Sequence, residues 1–293
     1  MDFMVDKHKS IRIIPRIDVK GENVVKGVHL EGLRVLGYPS VFSSIYYKEF
    51  ADEIIFMDTV ASLYGRNNLH DIVASAAREI FIPMTVGGGV RSIDDVRMLL
   101  EHGADKVAIN TALFSNPDLI KNVADNFGSS CMVASIDVIK SDSGVYECLS
   151  ENGRENTGVE LFEWLEKVIN FGAGEVLLTS VDNEGTGLGF DTSLIEEVSN
   201  FCPIPVIACG GAGKKEHVLD VINKTDTGGV AISSILHYDL ASRDLDVESK
   251  EGNKEFLRNI KGDKNHEIRK GITSTTVNEL KSYLSSHSVH VRI

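Results

Sequence analysis

The amino-acid sequence predicts an α/β protein whose whole length, residues 1–293, folds as one (β/α)8 TIM barrel, with eight parallel strands inside a ring of helices. Three observations predict this fold. Short apolar runs recur eight times, stretches with helical spacing separate most of them, and the second half repeats the features of the first in the same order. A chain with 42% hydrophobic and 25% charged residues can bury a core of that size.

The predicted barrel strands are eight runs rich in β-branched residues. None of them alternates polar with apolar residues, so both faces of each strand should be buried, as in a parallel sheet covered by helices. The runs span residues 11–17, 54–57, 84–86, 107–109, 132–136, 176–179, 206–208 and 230–232. Apolar residues at helical spacing predict helices between and after them, among them 93–102, 161–171, 215–222 and 276–284.

The two halves of the chain resemble each other with a period of roughly 120 residues, which indicates a duplicated half-barrel. Asp18 follows the first strand as Asp137 follows the fifth, and glycine runs follow the third and seventh strands. The same comparison matches Asp58 with Asp182 after strands two and six. Four strands from each half close a barrel of eight. A doubly wound open sheet, the alternative fold, leaves the duplication unexplained.

One segment interrupts this pattern. Residues 242–267 are polar and rich in Lys, Asp, Glu and Asn, which predicts an inserted surface excursion before the last helix. Such a composition buries too little apolar surface to form part of the core. We do not expect the insertion to carry chemistry.

Charge and cysteine content narrow the functional class. A formal net charge of -13 argues against nucleic-acid or membrane-surface partners, which are bound through basic patches. The chain has no continuous apolar stretch of about 18 residues and no apolar signal sequence, which predicts a cytoplasmic protein. Neither a CxxC pair nor ligand-like histidine spacing occurs, so we predict no metal or other cofactor and expect reduced cysteines.

Asp18 and Asp137 are the candidate catalytic residues. Both follow barrel strands, and in this fold functional side chains stand where strands end and the following loops begin. A facing pair of carboxyl groups, one ionised and one protonated, suits proton abstraction and donation. A single aspartate there would more often cap a loop or bind a lysine such as Lys26, but the symmetric placement favours catalysis. For Lys26 a substrate contact and a plain salt bridge remain open.

Glycine runs after strands three and seven predict two phosphate sites. Glycine lets backbone N–H groups approach a phosphate closely, and a helix N-terminus adds a favourable dipole. Tight turns alone would explain either run, but each run is matched by polar side chains after the next strand. Two such cradles indicate a ligand phosphorylated at both ends, held by Gly88, Gly89, Asn110 and Thr111 on one side and by Gly211, Gly213, Ser233 and Ser234 on the other.

Four charged residues occupy the opposite ends of the strands. Two cations and two anions should therefore ring the floor of the barrel. A salt-bridged plug that closes the floor is the simple interpretation, and a gate is the more specific one. The four residues are Arg12, Glu53, Lys106 and Glu175.

Six stretches of the sequence resemble the cyclase subunit of imidazole glycerol phosphate synthase, a barrel of histidine biosynthesis. They contain most of the candidate residues named above and follow one another in the family's order. The stretches are residues 13–20, 24–27, 85–89, 103–112, 172–180 and 210–214. The resemblance covers about residues 11–238 and resumes over 278–292. A related barrel isomerase of the same pathway shares the phosphate sites, but the charged ring and the Gly-Gly-Ala-Gly-Lys run favour the cyclase.

The resemblance implies a carbon-nitrogen lyase that also closes a ring. Ammonia, made from glutamine by a separate glutaminase subunit in a heterodimer, enters through the floor and attacks a bis-phosphorylated ribulosyl formimino aminoimidazole carboxamide ribotide. Imidazole glycerol phosphate and aminoimidazole carboxamide ribotide leave. The resemblance makes Asp18 and Asp137 the acid and base, makes the four-residue ring an ammonia gate, and adds Thr179 and Glu184 to the substrate contacts.

Several residues depart from the family pattern near the predicted mouth. Arg16 stands where the family has cysteine, and the other departures lie at residues 29–30, 37–39, 138–140 and 184–187. A long cation two residues before Asp18 could favour the ionised form of that aspartate or contact a phosphate or carboxylate.

These departures keep a second function open. Diverged barrels similar to this one also accompany amidotransferases that amidinate surface-polysaccharide sugars, and there the barrel is an ammonia-delivering partner. The changed mouth residues fit that alternative. The retained Asp18, Asp137 and phosphate loops fit the histidine pathway.

Overall fold

The structure, a computed structural model, describes residues 10–61, 69–243 and 271–293. Its strands, numbered in chain order, are β1 (Arg12–Lys20), β2 (Asn23–Val28), β3 (Glu31–Gly37), β4 (Ile54–Asp58), β5 (Met84–Gly87), β6 (Lys106–Ile109), β7 (Met132–Lys140), β8 (Tyr146–Ser150), β9 (Glu155–Glu160), β10 (Glu175–Ser180), β11 (Val206–Cys209) and β12 (Gly229–Ile232). Its helices are α1 (Pro39–Lys48), α2 (Leu69–Ala76), α3 (Ile93–Glu101), α4 (Thr111–Ser115), α5 (Asp118–Phe127), α6 (Leu161–Asn170), α7 (Thr192–Phe201), α8 (Lys215–Lys224), α9 (Ser234–Ser242) and α10 (Val277–Ser286).

Eight of these strands form a closed parallel barrel. The order is β1-β4-β5-β6-β7-β10-β11-β12, and β12 pairs again with β1. Helices alternate with the barrel strands along the chain, as parallel connections require. The predicted (β/α)8 barrel is confirmed, and each of the eight predicted runs coincides with one barrel strand.

Two hairpins were not predicted from the sequence. Strands β2 and β3 extend β1, and strands β8 and β9 extend β7, all in antiparallel pairing at the carboxyl ends of the barrel strands. Their strands are short and carry polar residues, so they resemble loops. Gly21 and Gly144, with φ of +59° and +86°, lie in the turns that start them and were the available signal.

The hairpins also reveal the duplication, because each half begins with a barrel strand followed by a hairpin. The strand register corrects one sequence match, however. Met57 pairs with Asp18 as Thr179 pairs with Asp137, so Asp58 corresponds to Ser180. The proposed match between Asp58 and Asp182 was therefore wrong by two residues. Asp182 lies in the loop after β10, two residues beyond the position that corresponds to Asp58.

Side chains that enter the barrel alternate with side chains that face the helices. On β1, Ile13 and Ile17 pack in the outer core, whereas Ile14 points into the lumen. The buried apolar residues of the lumen are Ile14, Ile55, Met57, Ala108, Val133, Leu177, Ile207, Cys209 and Ala231. They lie between the floor, where the strands begin, and the mouth, where they end.

Helix α10 begins close to its predicted start. The Thr276 side chain accepts the N–H of Glu279, whose carboxylate accepts the N–H of Thr276 in return, so both ends of a capping box are present. Of the predicted insertion at 242–267, residues 244–267 lie outside the described residues, and the insertion stays a prediction. In the described part of the chain, no helix has the length and apolarity needed to cross a membrane.

Candidate active site

Asp18 and Asp137 lie at the mouth of the barrel, near the carboxyl ends of β1 and β7. They are 3% and 6% exposed. Nε of Arg16 donates to Oδ1 of Asp18 at 2.9 Å, and Nδ2 of Asn110 donates to Oδ2 of Asp137 at 2.9 Å. A cation therefore binds one carboxylate, and a neutral amide binds the other.

The surroundings of Asp137 affect its pKa. Burial raises the pKa of Asp137, because a buried carboxylate loses its hydration. The charge of Arg16 and hydrogen bonds from Thr179 and Asn110 act in the opposite direction, but the pKa of Asp137 remains raised. Asp137 therefore keeps its proton to a higher pH than an ordinary aspartate.

Arg16 crosses part of the lumen. Its side chain is 2% exposed, and Nη1 donates to Oγ1 of Thr179 at 3.2 Å and to Sγ of Cys209 at 3.4 Å. Burial would lower the pKa of the guanidinium, but the charges of Asp18, Glu184 and Asp137 act together with Cys209 against it, and the pKa is raised well above its ordinary value. Burial also raises the pKa of Cys209 to about 11, so a neutral thiol accepts this hydrogen bond.

A second buried ion pair joins the β2–β3 hairpin to the loop after β10. Nζ of Lys26 contacts Oε1 of Glu184, and both side chains are almost fully buried. Burial would lower the pKa of Lys26, yet the charges of Glu184 and Asp18 and the hydrogen bond to Glu184 together leave it raised. Burial would raise the pKa of Glu184, yet the charges of Lys26 and Arg16 together leave it lowered. Both groups are charged at neutral pH. The salt-bridge interpretation of Lys26 is thus observed, and its contact with substrate stays a prediction.

A cavity of about 230 Å³ opens at the mouth. The whole first cradle, Gly88, Gly89, Asn110 and Thr111, lines it together with Asp137 and Arg16. The sequence did not single out six further polar residues of its wall as site residues, namely Asp58, Arg91, Ser115, Asn116, Ser135 and Asn152. Asp58 ends a barrel strand and Arg91 follows the glycine run, so strand ends alone could have indicated these two.

Gly88 shows why this cradle needs glycine. Its φ is +99°, and a Cβ atom there would lie 2.3 Å from the carbonyl oxygen of Asp58. The Asp58 carboxylate accepts the N–H groups of Val60 and Ala61 at 2.9 Å. Burial raises the pKa of Asp58 despite these two hydrogen bonds. The backbone at Asp58 and Gly88 is therefore tightly packed beside the cavity.

The glycines of the second cradle pack closely against neighbouring backbone carbonyl groups. A Cβ on Gly211 would lie 1.9 Å from the carbonyl oxygen of Gly189, and one on Gly213 would lie 2.0 Å from that of Gly187. The hydroxyl of Ser233 donates to the Arg16 carbonyl at 2.8 Å. Ser233 and Ser234 stand at the N-terminus of α9, 8% and 6% exposed. Sequence analysis thus located both cradles on the mouth side, but the second is not part of the 230 Å³ cavity.

The four predicted floor residues meet in a closed ring. Arg12 contacts Glu53 at 2.7 Å and also contacts Glu175, while Lys106 lies 3.1 Å from Glu53 and 3.0 Å from Glu175. Each carboxylate therefore bridges both cations. The cations are the more exposed members, with 25% of the Arg12 side chain and 18% of the Lys106 side chain accessible against 7% for each glutamate.

Comparison with known proteins gives consistent relatives. The family model described as histidine biosynthesis protein matches residues 12–242. The chain is 56% identical to the imidazole glycerol phosphate synthase subunit HisF of Legionella pneumophila over 71% of this chain and 98% of that protein. It is 44% identical to the subunit of the same name from Lactococcus lactis subsp. cremoris strain SK11, over 80% and 90% of the two chains. For the Natranaerobius thermophilus subunit HisF the identity is 41%, over 96% and 98%.

Replacing Gly88 with alanine should deform the first cradle. The strained φ and the clash with the Asp58 carbonyl should lower the free energy of unfolding by about 1–3 kcal/mol and weaken phosphate binding. Urea unfolding and calorimetry with inorganic phosphate measure the two effects. Gly144→Ala is the matched control, because Gly144 has φ of +86° but nothing within 4 Å of the added Cβ. Equal phosphate affinity in the two variants would contradict the cradle.

Proposed function

The chain belongs to the histidine biosynthesis protein family, as a HisF-type cyclase subunit of imidazole glycerol phosphate synthase, and from this we propose how its site works. The reaction is a carbon-nitrogen lyase reaction coupled to ring closure. Ammonia attacks a bis-phosphorylated ribulosyl formimino aminoimidazole carboxamide ribotide, and imidazole glycerol phosphate and aminoimidazole carboxamide ribotide leave. We place the enzyme in the cytoplasm.

One observation carries the assignment of catalytic roles. Two buried carboxyl groups stand at one mouth in different surroundings, Asp18 bound to Arg16 and Asp137 with a raised pKa. We assign Asp18 as the general base, because its carboxylate forms an ion pair with the adjacent guanidinium of Arg16. Asp137 is the general acid, because burial favours its protonated form.

The two cradles hold the ends of the substrate. Gly88, Gly89, Asn110 and Thr111 supply backbone and side-chain donors to one phosphate, and Gly211, Gly213, Ser233 and Ser234 supply them to the other. Thr179, Lys26 and Glu184 border the reacting centre between the two ends.

Ammonia enters through the floor ring. Each glutamate of the ring contacts both Arg12 and Lys106. When the Lys106 side chain moves aside, a path opens, and Arg12 still compensates the charge of both carboxylates. Above the ring lies the apolar layer of the lumen. Neutral ammonia crosses such a layer, whereas an ammonium ion would lose its hydration at a cost of several kcal/mol.

The glutaminase subunit docks against this floor as the second member of a heterodimer. Phe50 and Phe81, 57% and 77% exposed, lie in the turns that lead into β4 and β5, on the floor side. Phe81 also makes an edge contact with Tyr47, which fixes its position. Exposed aromatic side chains beside a ring of charges suit a partner that must seal the ammonia path from water.

The alternative function is delivery of ammonia to an amidotransferase that amidinates surface-polysaccharide sugars. Arg16 favours it, because the guanidinium fills lumen space that a cysteine would leave open and occupies the side of Asp18. In that case the barrel binds a phosphorylated ligand but does not convert it. The two functions differ in turnover with free ammonia.

The deciding experiment is an assay of the purified chain with ammonium chloride and the bis-phosphorylated substrate. We expect imidazole glycerol phosphate to form, and Asp18→Asn and Asp137→Asn each to lower kcat by about 10²–10⁴. Asp220→Asn, at an exposed pair on α8, is the control and should leave kcat unchanged. Substrate binding without turnover by the unsubstituted chain would support the ammonia-delivery function instead.

The gate is tested by Lys106→Ala. Without one of its two cations, the ring should no longer control the passage of ammonia. The fall in kcat should therefore be about tenfold larger when glutamine and the glutaminase subunit supply the nitrogen than when ammonium chloride supplies it. Lys224→Ala, which removes an exposed lysine of α8, should leave both rates unchanged. An equal loss with the two nitrogen sources would argue against a gate.

Docking is tested by Phe81→Ala. Because aromatic anchors commonly contribute more than about 1.4 kcal/mol, Kd for the glutaminase subunit should rise about tenfold or more. Calorimetric titration with the purified partner measures it. Leu188→Ala removes an equally exposed apolar side chain from the mouth side, 80% accessible, and should not change Kd. If Leu188→Ala weakened binding and Phe81→Ala did not, the partner would occupy the mouth.

A further inference from the structure

Arg16 has one hydrogen-bonding edge that the protein leaves unused. Nε donates to Asp18, and Nη1 donates to Thr179 and Cys209. Within residues 10–61, 69–243 and 271–293, the remaining nitrogen Nη2 has no hydrogen-bond acceptor. A guanidinium that is 2% exposed and so arranged is suited to a ligand.

The unused edge belongs to a residue that borders the mouth cavity. Arg16 lines that cavity together with Asp137, Ser135 and Asn110. Its three protein contacts come from β1, β10 and β11, so the plane of the guanidinium is fixed from several sides. A donor fixed before the ligand arrives needs little reorganisation during a reaction, and this makes it effective at stabilising developing charge.

We propose that Nη2 of Arg16 donates a hydrogen bond to the keto oxygen of the ribulosyl group and polarises that carbonyl for attack by ammonia. This inference rests on the proposed function and adds a catalytic residue to it. Arg16 stays protonated throughout, so it contributes a hydrogen bond and a charge and no proton.

The lone pair of ammonia forms a C–N bond to the carbonyl carbon, and the π electrons of the C=O bond move to the oxygen beside Arg16. Asp18 accepts one proton from the new ammonium group, and Asp137 gives its proton to the oxygen. The product is a carbinolamine, with Asp18 now protonated and Asp137 ionised. Loss of water from the carbinolamine gives the imine.

A carbonyl fits this place better than a phosphate does. Asp18 already compensates the charge of Arg16, and Glu184 compensates that of Lys26, so a dianion bound here would meet no net positive charge. A carbonyl oxygen is neutral when it binds and carries charge only briefly, before Asp137 protonates it. The terminal phosphates have separate places in the two glycine cradles.

The test compares Arg16→Gln, Arg16→Lys and Arg16→Ala with the unsubstituted chain in the ammonium-dependent assay. Removing a fixed donor to a developing oxyanion should lower kcat about 10²–10³-fold in Arg16→Gln with little change in KM. Added guanidinium chloride should restore part of the activity of Arg16→Ala, whereas sodium chloride at equal ionic strength should not. Arg16→Lys should recover only part of kcat, because an ammonium lacks the planar fork. Arg97→Gln on the surface of α3 is the control.

A role limited to holding Asp18 predicts different results. Arg16→Gln would then shift the acidic limb of the kcat–pH profile and regain activity at higher pH, and this recovery would overturn the inference. An increase in KM with unchanged kcat would overturn it as well. Folding of each variant is checked by urea unfolding, and absence of guanidinium rescue in a folded Arg16→Ala also counts against it. No turnover by the unsubstituted chain would overturn the proposed function and this inference together, whereas turnover with an active Arg16→Gln would overturn only the inference.

Discussion

Closure of the sheet between β1 and β12 is the constraint on which the rest of the structure depends. Once β12 pairs with β1, the inward side chains of eight strands must share one lumen, and strand alternation decides which residues enter it. On β1 this brings Arg12, Ile14, Arg16 and Asp18 into the barrel in succession. One strand thus contributes to the floor ring, the apolar layer and both ends of a buried ion pair.

Charges inside such a lumen must be compensated locally, because water is largely excluded. The floor achieves this with two cations and two anions that bridge one another, and the mouth achieves it with the pairs Arg16–Asp18 and Lys26–Glu184. Buried pairs of this kind contribute little net stability against an apolar core of the same volume. The proposed chemistry at the mouth and the proposed passage through the floor would each give such pairs a role other than stability.

Two similar halves produce a site that is not symmetric. Asp18 and Asp137 occupy equivalent positions, but the residue two places before them is Arg16 in one half and Ser135 in the other. The arginine reaches across to β10 and β11, whereas Ser135 leaves space that the cavity occupies. One carboxylate therefore forms an ion pair with a guanidinium, and the other accepts a hydrogen bond from the neutral amide of Asn110. General acid–base chemistry needs this difference, which a duplication alone would not provide.

The sequence by itself determined the barrel, its eight strands, the aspartate pair, the glycine cradles and the four floor residues. These features follow from local patterns, because short stretches of sequence show which strands are buried on both faces, where glycine runs occur and which residues stand at strand ends. It did not reveal the two hairpins, the correct partner of Asp58, or the wall residues Arg91, Ser135 and Asn152. Only the tertiary structure decided that Lys26 binds Glu184 and that Arg16 bonds to Thr179 and Cys209. Those contacts join residues more than 150 positions apart, and barrel closure alone sets the distances between them.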